Sequence, residues 1–123
     1  MSNKGLKRLN NPQNQVKENN DEKTCNLKFS KCDDNKCQLW DLGKRELKQF
    51  VSFAKKIENL RWIDIFRSKS FNFESISNLQ KPDFLSKEVT LKSIRVTQEF
   101  RIYGYRSDAD FYIIWFDPNH ELT

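Results

Sequence analysis

The last third of the chain leaves the least freedom. Phe111-Tyr112-Ile113-Ile114-Trp115-Phe116 is an unbroken run of aromatic and β-branched residues, the types that fit a pleated surface. Ahead of it, Ser93-Ile94-Arg95-Val96-Thr97 and Phe100-Arg101-Ile102-Tyr103-Gly104-Tyr105-Arg106 alternate apolar with polar, the period of a strand. Gln98-Glu99 and Ser107-Asp108-Ala109-Asp110 separate the runs and are short enough for hairpins. Asp117-Pro118-Asn119 reads as a closing turn. From Leu91 onward this predicts an antiparallel three-stranded meander.

Upstream the rhythm changes. Leu47, Phe50, Val51, Ala54, Ile57 and Leu60 recur at helical spacing, so residues 44–60 are expected as the main amphipathic helix, with this stripe buried. Lys44, Arg45, Lys48, Gln49, Lys55 and Lys56 take the other side, and Asp41 is the expected N-cap. Trp62 to Phe66 predicts a second, short helix. Cys25 to Cys32 alternates like a half-buried strand, Asp33-Asp34-Asn35 is turn chemistry, and Cys37 to Trp40 resumes the alternation. That is either a hairpin or one strand with an extended lead into the helix. Trp40 and Trp62 are expected as core anchors. Residues 68–90 carry scattered Phe and Leu with no assignable period. The fold class is therefore α+β: an N-terminal strand or hairpin, a main and a short helix, then the meander.

Residues 1–24 hold no aromatic side chain and six Asn, too little apolar area to offset ordering entropy. They are expected as a disordered tail before one domain over 25–123. Elsewhere ten Phe, three Trp and three Tyr supply a core. No apolar stretch follows the basic start MSNKGLKRLN and none is long enough to span a membrane, which predicts a cytoplasmic chain with no membrane association. Cys25, Cys32 and Cys37 are then free thiols. Their spacing matches no paired zinc knuckle, so no metal and no cofactor are expected.

The net charge is +5. Residues 1–24 carry five basic and three acidic groups, residues 25–90 thirteen and nine, and residues 91–123 four and five. A modest positive field suits nucleic acid or an acidic partner; ordinary solvated lysines give the same balance.

The segment SIRVTQEFRIYGYRSDADFYIIWFDPNHEL resembles the C-terminal block of small bacterial and phage-borne proteins of the RelE/ParE toxin superfamily. The matching pieces are Ile94-Arg95-Val96, Phe100-Arg101-Ile102, the Phe111–Phe116 strand and Asp117-Pro118-Asn119-His120. The resemblance implies the toxin of a toxin–antitoxin pair, a metal-free, ribosome-dependent mRNA endonuclease neutralised by an antitoxin protein. Its chemistry would be attack of a ribose 2′-OH on the adjacent phosphate, which needs a base, cations for the developing charge and an acid for the leaving oxygen. By that resemblance Arg101 faces the scissile phosphate and His120 is the acid or base. Glu99 is the nearest carboxylate for a base. Arg95, Arg106 and Lys92 would contact RNA phosphate, and Tyr105 would stack a base.

Taken on their own, these residues leave a plainer role open. Arg95, Arg101 and Arg106 can pair with Asp108 or Asp110 on a solvent face, and His120 can serve its turn by bonding Asp117. The alternative function is a non-catalytic binding module, a degenerate phage or plasmid accessory protein of the same fold.

Overall fold

One mixed sheet organises the computed structural model, which describes residues 19–123. In chain order the elements are β1 (Asn26–Lys28), α1 (Lys44–Ile57), α2 (Trp62–Arg67), β2 (Glu74–Ile76), β3 (Leu91–Arg95), β4 (Arg101–Ser107) and β5 (Asp110–Asp117). Their order across the sheet is β1-β5-β4-β3-β2. The expected antiparallel meander is β3-β4-β5, β2 extends it antiparallel, and β1 lies parallel to β5. The fold is α+β, as its sequence predicts.

The unbroken apolar run of β5 has a physical cause. Tyr103 pairs with Trp115 and Gly104 with Ile113, so Ile114 is an extra residue in a β-bulge. Phe111, Ile113 and Phe116 pack toward the helices with Ile94, Ile102, Phe50, Phe53 and Trp62. Ile114 and Trp115 join Leu91 and Tyr103 on the other face, under Ile76, Leu79, Leu85 and Leu122. Both faces are covered, so no polar residue is wanted along the run. Gly104 sits opposite the bulge, where a Cβ would stand 1.9 Å from the Tyr112 carbonyl oxygen.

Of the two N-terminal alternatives, the structure forms the single strand. After β1 the chain turns at Asp34-Asn35 and continues along β5 in the same direction. The Asp33 amide donates to the Ile114 carbonyl and the Phe116 amide to the Cys37 carbonyl. Gln38 Nε2 donates to the carbonyls of Asp33 at 2.7 Å and Ile114 at 2.9 Å. A 3₁₀ turn over Leu39–Asp41 follows, and Asp41 accepts from the Gln38 amide. Asp41 therefore caps this turn, and Gly43 takes the N-cap of α1. Trp40 is 71% exposed instead of anchoring the core, whereas Trp62 is fully buried.

The buried stripe of α1 is Phe50, Phe53 and Ile57, while Leu47 and Val51 are exposed. The helix is rotated from the expected face because Phe53 brings a ring that meets Phe50 and Phe71 edge-on or tilted. Within residues 68–90, Lys81 Nζ gathers the loop after β2 by donating to the carbonyls of Ser86, Lys87 and Val89.

Residues 1–18 of the expected tail lie outside the described residues. Residues 19–24 are held against the domain by a 3₁₀ turn at Asn20–Glu22, a bridge from Thr24 to Arg61, and an ion pair from Asp21 to Arg106 at 2.7 Å. Cys25, Cys32 and Cys37 are free thiols, and burial pushes all three up from the ordinary thiol value, Cys25 to about 12. Among the described residues no helix is long and apolar enough to cross a membrane.

Candidate functional site

Strand direction brings three chain ends together. The C-terminal end of β3, the N-terminal end of β4 and the C-terminal end of β5 lie at one end of the sheet, which places Arg95, Glu99, Arg101, Asp117 and His120 at that end. Arg95 stands opposite Arg101, and Arg101 opposite Asp117, in one cross-strand row. Tyr103, two residues along β4, shares their face.

Arg101 is 6% exposed. Its Nη1 donates to the carbonyls of Thr97 and Gln98, both at 3.0 Å, and of Phe100 at 3.4 Å. The guanidinium thus closes the β3–β4 turn, on which Glu99 is exposed. Burial, then the charge of Arg95, push its pKa below the ordinary arginine value. Arg95 is half-buried, and its Nε is buried with no hydrogen-bond partner among the described residues.

Asp117 does not answer either charge. Its carboxylate accepts from the Tyr103 hydroxyl at 3.0 Å and from the amides of Glu121 at 2.8 Å and Leu122 at 2.9 Å. Burial raises the Tyr103 hydroxyl to about 12, against a hydrogen bond shared with Thr123 Oγ1 that lowers it. His120 follows in the turn at φ 54°, exposed, its backbone amide donating to the Asp117 carbonyl at 3.3 Å. The carboxylate expected to hold its imidazole is thus taken by Tyr103 and the C-terminal backbone.

Lys92, Tyr105 and Arg106 lie toward the opposite end of the sheet. Arg106 sits on the helix side, its guanidinium 4.4 Å from the Trp62 ring centroid, paired with Asp21 and donating from Nε to the Asp108 carbonyl at 2.7 Å. Lys92 Nζ donates to Ser75 Oγ at 2.8 Å and lies over the Phe73 ring. Tyr105 stacks on Tyr112 at 5.1 Å, and burial raises its pKa. The structure therefore gathers Arg95, Arg101, Glu99 and His120 and sets the other three apart.

Two features of this end were hidden in the sequence. Asp117 reads as a turn residue but organises the C-terminus. Beside Arg95, a groove of 310 Å³ separates α1 from β3, lined by Lys48, Ser52, Lys56, Ser70, Arg95 and Thr97 over Phe53 and Phe71. Lys48 and Lys56 were visible only as part of the polar side of a helix, and Ser52 was not singled out; their four-residue spacing was the available signal.

No protein-family model matches the sequence, and no curated protein does. Among solved structures, the chain is similar to one in the crystal structure of the archaeal RelE-RelB complex from Pyrococcus horikoshii OT3, at 15% identity and a TM-score of 0.46, over 80% of this chain and 98% of that one.

Proposed function

We propose that the protein is a RelE-like toxin that acts on RNA at the end of the sheet where Arg95 meets Arg101, with an antitoxin as its natural partner. The observation that carries this reading is the juxtaposition itself. Arg95 and Arg101 stand in register across two strands, neither forms a salt bridge among the described residues, and the one carboxylate in their row is bonded elsewhere. A like-charge pair of this kind is relieved by an anion, and arginine suits the planar geometry of phosphate oxygens. Glu99 and His120 at the same end supply candidate groups for moving the proton of a 2′-OH and of the leaving oxygen. The resemblance of the C-terminal block to the superfamily supports the same reaction. Exposed Trp40, Leu47 and Val51 offer apolar anchors to a protein partner.

A second reading has its own observation. Arg101 is committed to turn carbonyls, which suits a non-catalytic binding protein of the same fold. Growth after induced expression separates the two. Wild type should arrest growth, and Arg95→Gln and His120→Ala at equal soluble level should relieve the arrest. Unimpaired growth with abundant soluble wild-type protein would overturn the toxin reading and leave the binding protein.

A further inference from the structure

We infer that the groove between α1 and β3 binds the phosphate backbone of single-stranded RNA, leading it to the Arg95–Arg101 end of the sheet. This rests on the reading that RNA is the substrate and says where its backbone lies.

The lining of the groove points to an anion. Two cations, Lys48 and Lys56, line it, with no carboxylate among the lining residues. Ser52, Ser70 and Thr97 add hydroxyl donors. Lys48 and Lys56 form no salt bridge among the described residues. With Ser52 between them they recur every four residues along one side of α1, over a rise of about 12 Å, so the cations are strung along a track. Apolar anchors for a protein helix lie elsewhere, at Leu47 and Val51. A polar, cationic track with phenylalanines only at its base fits a phosphate chain better than a peptide.

The test uses the full chain and a fluorescent single-stranded RNA oligomer, 2′-O-methylated so that it cannot be cleaved. Affinity is read by fluorescence anisotropy across a salt series. Lys48→Gln/Lys56→Gln should bind more weakly and flatten the slope of log K against log salt by about 1.4, two phosphate contacts at ~0.7 each. Lys44→Gln/Lys55→Gln removes the same charge from the same helix outside the groove and should keep the wild-type slope. All four lysines are exposed, so both variants should match wild type in circular dichroism. Ser52→Glu, which places a carboxylate in the groove, should also weaken binding.

Equal slopes for the two double variants, whether both lowered or both unchanged, would overturn the groove and leave the RNA reading standing. Groove-dependent binding of polyglutamate as tight as that of RNA would overturn the assignment to nucleic acid. Absence of any RNA binding by wild type would overturn both the groove and the reading beneath it.

Discussion

Arg95 and Arg101 face one another across β3 and β4, but only one of them is free to answer an incoming anion. Arg101 Nη1 is spent on the Thr97 and Gln98 carbonyls, while Arg95 Nε has no hydrogen-bond partner among the described residues. The two should therefore fail differently when changed. Arg101→Ala should cost about 1–3 kcal/mol of stability, because the partly buried turn carbonyls lose their donor. Arg95→Gln should cost less than 1 kcal/mol and act on RNA binding. Urea unfolding beside RNA affinity checks this. Equal destabilisation by the two changes would contradict it, and loss of activity in Arg101→Ala is no measure of catalysis until stability is matched.

Gly104 should be intolerant for a steric reason. Its φ is not positive, so alanine suits the backbone angle; the obstacle is the Tyr112 carbonyl oxygen at 1.9 Å from an added Cβ. Strand and bulge must separate to admit it, at a cost of at least about 2 kcal/mol. At Gly43 the nearest atom is the movable Glu46 Oε1 at 2.8 Å, and alanine there should cost at most about 1 kcal/mol. Thermal unfolding of the two variants should separate them clearly. A Gly104→Ala protein as stable as Gly43→Ala would refute the close approach.

The same bulge shows where sequence was a good guide and where it was not. Strands β3, β4 and β5 were legible because alternation and turn residues are local signals. The face of α1 was not. Leu47 and Val51 match the helical period as well as Phe53 does, and only the aromatic contacts of Phe50, Phe53 and Phe71 decide which side turns inward. Trp40 was misplaced because the Asp41 cap makes a 3₁₀ turn where a strand was expected. At the site, alternation sets Arg101 and Tyr103 on one face, but whether Arg95 shares it depends on the register across Gln98-Glu99, which the pairing of β3 with β4 supplies. The different bonding of the two arginines was not legible, since it depends on how the 96–100 turn folds back. The groove was out of reach, because Lys48 and Thr97 meet only through packing of α1 on the sheet.

Alkaline pH should expose the burial of Tyr103. Burial holds its hydroxyl protonated to about 12, from an ordinary 10.0. The folded chain therefore keeps a proton that the unfolded chain releases, so this contribution is full below pH 10 and is lost as pH rises toward 12. Cys25 acts in the same direction, from 9.0 to about 12. Tyr103→Phe forfeits the bond to Asp117 and should be less stable than wild type near neutrality by about 1 kcal/mol. That gap should close as pH rises through the tyrosine range. Urea unfolding of both proteins at pH steps above 9 reads it, and a gap that stays constant to about pH 11.5 would show that Tyr103 is not shifted.

Gln38 ties the N-terminal lead to the bulge and gives the sharpest test of that packing. It is fully buried, and its Nε2 bridges the Asp33 and Ile114 carbonyls while its Oε1 has no hydrogen-bond partner among the described residues. The side chain thus matters as a donor only. Gln38→Ala should cost about 1–3 kcal/mol, because the Asp33 carbonyl loses its side-chain donor. Gln38→Glu keeps the shape but puts a carboxylate, which cannot donate, against two carbonyl oxygens and beside Asp41. At neutral pH it should be worse than alanine. On acidification its carboxyl takes up a proton and regains one donor, so its deficit relative to alanine should shrink. Stability of the two variants measured at pH 7 and again near pH 4 decides the matter. A glutamate variant as stable as wild type at pH 7 would mean that the lead does not depend on this donor.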